Sequence, residues 1–269
     1  MRLFFERFVG VYCWVLYRVF GIRALVGAGS SERSVGLNVG SAYRVLGGWV
    51  NLDRTIHIPI SRITWMPALL YRLGRIDAEQ YSHYELGHWQ QVSYWDIGYP
   101  LPFANNSFDY IYSSHVLEHL DGQVCHQLLT ECYRILKPGG WIRLVVPDLY
   151  LSASQYVDYM RKMERGDLAK SETVVFLGEQ VKAQEITDRF VGQIFESDMA
   201  RRTAFGHVWM YDHLTLSDFL EKMGFRSAIQ MKFREGNLPH LDILDCRHEN
   251  SLHVEAYKPH TYSLHEGML

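Results

Sequence analysis

The stretch SVGLNVGSAYRVLGGWVNLD, residues 34–53, decides how the rest of the chain is read. Val35, Leu37 and Val39 alternate with smaller or polar residues, the period of a strand. Gly40, Ser41 and Ala42 follow, small residues of the kind used where backbone must come close to something else. A second apolar run, Trp49 to Leu52, ends on Asp53. Strand, small-residue turn, strand and terminal carboxylate form the arrangement with which an open α/β sheet holds a nucleoside, the carboxylate accepting from ribose hydroxyls. A tight turn between two core strands gives the same local signal. Ala42 also stands where a G-x-G turn has its second glycine, so the decision falls to residues downstream.

Val92 to Trp95 reads as a short strand ending on Asp96, and Pro100 and Pro102 mark a loop. The Asn105-Asn106-Ser107 turn opens a strand over Phe108 to Ser113. Val124, Leu128, Leu129, Cys132, Tyr133 and Leu136 then recur at helical spacing, until Lys137-Pro138-Gly139-Gly140 stops the helix. Trp141 to Val146 is a buried strand leading to Pro147 and Asp148. Polar groups therefore follow one strand after another: Asn38 and Gly40, Asp53, Asp96, His115 and Asp148. Ligands of parallel sheets bind beyond the carboxyl ends of the strands, so these residues point to one shared site.

The remainder completes an α/β, Rossmann-like, mostly parallel seven-stranded sheet with flanking helices and a helical insertion. Residues 54–94 are irregular and rich in Tyr, Trp and His, with a short helix over Met66 to Leu73, and suit either a wall around a ligand or plain core. Residues 149–205 read as charged and mainly helical, too long for an ordinary crossover, and form an insertion over the site. Thr215 to Met223 is a short helix, with Thr215 and Asp218 spaced as a capping box. Phe225 to Phe233 and Leu252 to Tyr257 are the last strands. The expected domain spans residues 31–258, followed by a loose tail, 259–269.

Composition narrows the function. The chain has 269 residues, 48% of them apolar, and a formal net charge of −3, which is a globular composition with a sizeable core. Without a Lys/Arg run, no nucleic-acid partner is expected. Cys13, Cys125, Cys132 and Cys246 are scattered, with no C-x-x-C pair, which fits a reducing compartment and builds no structural zinc site. Residues 1–30 are dense in aromatic and aliphatic side chains, punctuated by Arg2, Arg7, Arg18 and Arg23. The run Phe8 to Tyr17 is too short to span a bilayer, and Arg18 and Arg23 spoil a signal-peptide core. This segment reads as a helix packed on the domain or as a peripheral anchor at a membrane surface.

Taken together, LNVGS and GGWVNLD within residues 37–53, PLPFANNSFDYIYSSHVLEHL at 100–120, ECYRILKPGGWIRLVVPDL at 131–149 and GHVWMYDHLTLSDFLEKMGF at 206–225 resemble the class I S-adenosylmethionine-dependent methyltransferases. More narrowly, they are similar to the bacterial group found in surface-polysaccharide and glycan pathways. The resemblance implies S-adenosyl-L-methionine as cofactor. It places Asn38, Gly40 and Ser41 at the methionine end, Asp53 on the ribose diol, Asp96 and the Ile97 backbone at the adenine, and Ser114 and His115 toward the reaction centre. The cysteine usage and the aromatic N-terminus point to a cytoplasmic enzyme, peripheral to the inner face of a membrane if residues 1–30 are the anchor. Ala42 in place of glycine, and a gap to Asp53 too short for the usual first helix, are departures from the family pattern.

The sulfonium methyl is already electrophilic, so the protein must align it with a nucleophile and exclude water. A hydroxyl acceptor also needs a base. His115 is the first candidate, followed by Asp148 and His207; Asp148 has capping of the next helix as its alternative role. The expected acceptor is a small molecule, a saccharide or a lipid-linked glycan. Two other readings use the same residues. Ala42 would suit a binding protein on a degenerate methyltransferase fold. His115-Val116-Leu117-Glu118-His119 matches the H-x-x-E-H of inverted zinc peptidases, whose histidines share one helical face.

Overall fold

The computed structural model describes residues 35–177, 179–194, 207–246 and 250–260. The segment 1–30, residues 195–206 of the region over the site, and the tail beyond 260 lie outside the described residues. No helix among the described residues is long and apolar enough to cross a membrane.

Seven strands form the expected sheet, in the order β3-β2-β1-β4-β5-β9-β8. They are β1 (Gly36–Val39), β2 (Val50–Asp53), β3 (Val92–Tyr94), β4 (Phe108–Ser114), β5 (Leu136–Pro147), β8 (Arg226–Met231) and β9 (Ser251–Tyr257). The first five run parallel, and β9 pairs antiparallel with both β5 and β8. The crossover from β1 to β2 is the loop 40–49, without a helix, as the short spacing to Asp53 required. That loop folds back tightly. A Cβ on Gly36 would lie 2.1 Å from the Trp49 indole, so only glycine allows the ring to rest on the first strand.

The strand period of two divides the sheet into two differently filled faces. Leu37, Val39, Ile111, Ile142, Leu144, Val254 and Ala256 share the principal core with α4 (Gly122–Ile135) and α7 (His213–Lys222). Three short helices precede these in the chain, α1 (His57–Ser61), α2 (Met66–Arg72) and α3 (Ala78–Glu85), between β2 and β3. The helix α4 starts on Asp121, whose carboxylate accepts the Gln123 and Val124 amides at 2.9 and 3.0 Å. It buries Cys125 and Cys132 along one stripe, and burial pushes the Cys132 thiol up to about 12.

The opposite face carries Tyr112, Val145 and Leu46 packed on α8 (Leu241–Leu244), and beside them a buried charge cluster. Arg143, in the middle of β5, is fully buried. All five of its N–H donors are used: Nε and Nη2 on Asp245 at 3.1 and 2.5 Å, Nη1 on Glu255 and the Glu235 carbonyl at 2.8 and 2.9 Å, and Nη2 on the Lys232 carbonyl at 2.9 Å. The cluster clamps the loop between β8 and β9 onto the sheet.

Two sequence expectations change. The insertion is not helical throughout. After α5 (Leu149–Arg165), Thr173–Phe176 (β6) and Glu179–Lys182 (β7) pair as an antiparallel hairpin, followed by α6 (Ile186–Ile194), with Phe176, Val181 and Ile186 in a small core of their own. The capping box of α7 is Asp212 with Thr215, one turn earlier than Thr215 with Asp218. Asp212 accepts the Thr215 amide at 2.8 Å, and that hydrogen bond holds its carboxyl below the usual range.

Candidate active site

The turn after β1 is built from the backbone. Gly40 and Ser41 donate their amides to the Leu52 carbonyl at 2.8 and 3.0 Å, which pins the turn to the end of β2. Gly40 sits at φ +71°, and a Cβ there would lie 2.1 Å from Cγ2 of Val116, so the turn presses directly on the segment after β4. Ala42 has φ +46°, a left-handed conformation that disfavours a Cβ. Its amide donates to Asp53 Oδ2 at 2.8 Å, while Asp53 Oδ1 accepts the Thr55 amide at 2.7 Å. Asn38 has a different position from the expected one. It is buried, and its side-chain amide donates to the Arg44 carbonyl at 3.0 Å and to Asn51 Oδ1 at 3.3 Å. These hydrogen bonds tie the loop 40–49 to the end of β1.

Asp53 and Asp96 stand on neighbouring strand ends of the same rim. Asp53 pairs with Tyr94 in the β2–β3 register, and its carbonyl accepts the Trp95 amide at 3.0 Å. Asp96 follows directly, with Oδ1 accepting the Gly98 amide at 3.0 Å and Oδ2 accepting from Arg54 at 3.0 Å. Ile97, between them, packs against the principal core. The aromatic-rich residues 54–94 form core more than lid: Ile58, Tyr84, Trp89 and Val92 are buried together, and His83 stacks on Tyr43 of the turn at 3.8 Å. Burial lowers the pKa of His57, whose Nδ1 lies 2.6 Å from the Tyr84 hydroxyl.

On the other side of Val116 the polar side chains gather. His115 has φ +54°, and its amide donates to the Val145 carbonyl at 2.8 Å. Its Nε2 lies 3.1 Å from Ser251 Oγ, and its Nδ1 lies 3.0 Å from Glu118 Oε1. Leu117–His119 is a single 3-10 turn, and Val116 before it has φ −124°. The α-helical register that H-x-x-E-H requires is therefore absent, and His115 and His119 do not share a helical face; the zinc-peptidase reading fails here. Ser114, two residues after Tyr112 in β4, lies on the second face of the sheet with it. It does not join the rim cluster.

Asp148 is the N-cap of α5, with Oδ1 accepting the Leu151 amide at 3.1 Å, so the capping role is the one observed. It also ties the rim together. Asp148 and Tyr211 form a parallel bridge, and the Leu149 amide donates to the Tyr211 carbonyl at 2.9 Å. This brings the 207–211 segment across the strand ends. Val208 and Trp209 donate their amides to the Glu118 carbonyl at 2.6 and 3.2 Å, and the His207 ring lies 5.2 Å from that of His119. Of the three candidate bases, His115 and His207 meet around Glu118, and Asp148 stands at the neighbouring strand end. The sequence reading missed Glu118 as a fully buried carboxylate, and it missed Tyr150 and Trp209, which are 67% and 62% exposed beside the Asp148–Tyr211 bridge.

Residues 83–144 match the methyltransferase domain family. The matched segment contains Asp96, His115 and Glu118. A stretch of 73 residues is 40% identical to the biotin biosynthesis bifunctional protein BioHC of Teredinibacter turnerae, covering 26% of this chain and 12% of that protein. Among solved structures, a SAM-dependent methyltransferase from Archaeoglobus fulgidus aligns over 92% of this chain and 99% of its own, at 15% identity and a TM-score of 0.41. Phosphoethanolamine N-methyltransferase 2 of Haemonchus contortus, in complex with S-adenosyl-L-methionine, aligns over 86% of this chain and 50% of its own, at 14% identity and a TM-score of 0.42.

Proposed function

We propose that this chain is an S-adenosylmethionine-dependent methyltransferase that methylates a hydroxyl of a saccharide or a lipid-linked glycan. The observation that carries the methyl-transfer part is the shared rim. Asp53 and Asp96 close adjacent strand ends beside a backbone turn, within a chain whose residues 83–144 match the methyltransferase domain family. On this reading Asp53 accepts from the ribose hydroxyls, Asp96 from the adenine amino group beside the Ile97 backbone, and the amides of Gly40 to Ala42 shape the floor. The cofactor supplies an electrophilic methyl. The protein positions the acceptor oxygen, keeps water away and holds its proton acceptor, His115, against Glu118 and Ser251.

Support for a saccharide comes from Tyr150 and Trp209, exposed aromatic faces at the same rim, against which the apolar face of a sugar ring packs. The proposal includes residues 1–30 as a membrane-surface anchor on the cytoplasmic side. Its test is flotation of the full chain with anionic vesicles, which Arg7→Glu with Arg18→Glu should abolish. The function itself is tested by calorimetry with S-adenosylmethionine, followed by transfer of a labelled methyl group to a panel of saccharide acceptors. Saturable cofactor binding with labelled product is the expected result. A folded chain that binds no cofactor at millimolar concentration is instead the degenerate-fold binding protein.

A further inference from the structure

Glu118 is the most costly group on this rim. It is fully buried, and neither carboxylate oxygen accepts an aligned hydrogen bond among the described residues. Its side-chain ion partners are His115 Nδ1, 3.0 Å from Oε1, and His119 Nε2, 3.8 Å from the same oxygen. A buried carboxylate without full compensation costs several kcal/mol, and such sites are settled by a proton, a cationic partner or a metal. The chain brings two imidazoles to it. His119 follows Glu118 in the 3-10 turn, and His207 is delivered by the Val208 and Trp209 amides bound to the Glu118 carbonyl at 2.6 and 3.2 Å. One donor atom from each of Glu118, His119 and His207 lies within 4.8 Å of the other two. Ligands of a tetrahedral zinc at about 2.1 Å stand roughly 3.4 Å apart, so small side-chain rotations close the set.

We propose that Glu118, His119 and His207 bind a divalent transition cation of the zinc class. Two imidazoles and a carboxylate are a donor set for that class, not for magnesium or calcium. His115 is a positioning residue for the site. Its contact with Oε1 orients the carboxylate, as groups behind metal ligands do. The ligand set differs from that of a zinc peptidase, because His207 takes the place that H-x-x-E-H would give to His115. Three protein ligands leave a coordination position for an oxygen. Given the methyltransferase reading above, that oxygen is the acceptor hydroxyl, whose pKa the cation lowers.

The test uses the untagged full chain, stripped with a chelator and titrated with Co2+ and Zn2+. Calorimetry should show one equivalent bound at micromolar dissociation constant, and Co2+ should give the visible absorption of a nitrogen- and oxygen-ligated ion. Glu118→Gln and His207→Asn should each weaken binding at least tenfold, and His115→Asn by up to tenfold. His207 is only half-buried, so its variant remains informative if Glu118→Gln fails to fold. No saturable binding up to millimolar metal, or binding that His207→Asn leaves unchanged, overturns the site. S-adenosylmethionine binding, measured on the same stripped samples, separates the two ideas. Cofactor binding without metal binding removes the cation site and leaves the methyltransferase reading; metal binding without cofactor binding does the reverse.

Discussion

The Asp53 carboxylate holds the Ala42 amide at 2.8 Å, so the acid expected on the ribose also fixes the turn that replaces a glycine with alanine. Its other oxygen takes the Thr55 amide at 2.7 Å. Asp53→Ala therefore removes both the carboxylate proposed to hold the ribose and the anchor of the turn. S-adenosylmethionine binding should weaken by at least tenfold, about 1.4 kcal/mol or more, when read by calorimetry. Binding equal to wild type would move the nucleoside away from Asp53.

Ala42 at φ +46° carries backbone strain that glycine does not. Ala42→Gly should stabilise the chain by up to about 1 kcal/mol, the relief of strain exceeding glycine's entropic cost. A thermal melt that moves down instead would mean this residue is not left-handed in solution.

His115 lies between Ser251 and Glu118, at 3.1 and 3.0 Å. His115→Asn should lower kcat for methyl transfer by about 100-fold, the range of general-base losses, and change cofactor affinity less than threefold. An unchanged kcat would take His115 out of the reaction.

The fold and the row of acids on its rim were legible because they depend on local pattern. Alternation in Val35 to Val39, the turn at Gly40 and the acids after two strands need no partner to be read. The other half of the site depends on residues far apart in the chain. His207 reaches Glu118 through backbone bonds made some 90 residues later, and nothing in VLEHL announces that its glutamate is fully buried. The hairpin at 173–182 was hidden because its strands lack alternation: Val174 and Val175 run together on the first, with Val175 exposed, and Val181 is the one apolar residue of the second. Asp212 was passed over as a cap because Thr215 and Asp218 give the same spacing one turn later.

Arg143 was equally hidden, as a charge inside a strand that reads as buried. Arg143→Met leaves Asp245 and Glu255 buried without their counter-ion and should cost about 3–5 kcal/mol. Adding Asp245→Asn and Glu255→Gln should recover part of that loss in urea unfolding. No recovery would show that the arginine acts through packing, not charge.

The same cluster sets an acid limit. Burial lowers the pKa of His253 to about 4, against an ordinary value of 6.5, with Arg143 opposing its proton and Asp245 favouring it. The fold thus holds a neutral imidazole that the unfolded chain protonates. This contribution is complete above pH 6.5 and is lost as the pH falls toward 4, reaching about 2 kcal/mol at pH 5. Unfolding at pH 7.5 and pH 5 should show that difference between wild type and His253→Leu, and parallel curves would exclude it.

Gly40 and Val116 meet with no room for even one methyl between them. The turn after β1 and the peptide that carries His115 are therefore packed as one unit. Any side chain at position 40 would push Val116 and, through it, the backbone of His115, so a steric contact that involves no charge at all fixes how the two segments sit against each other.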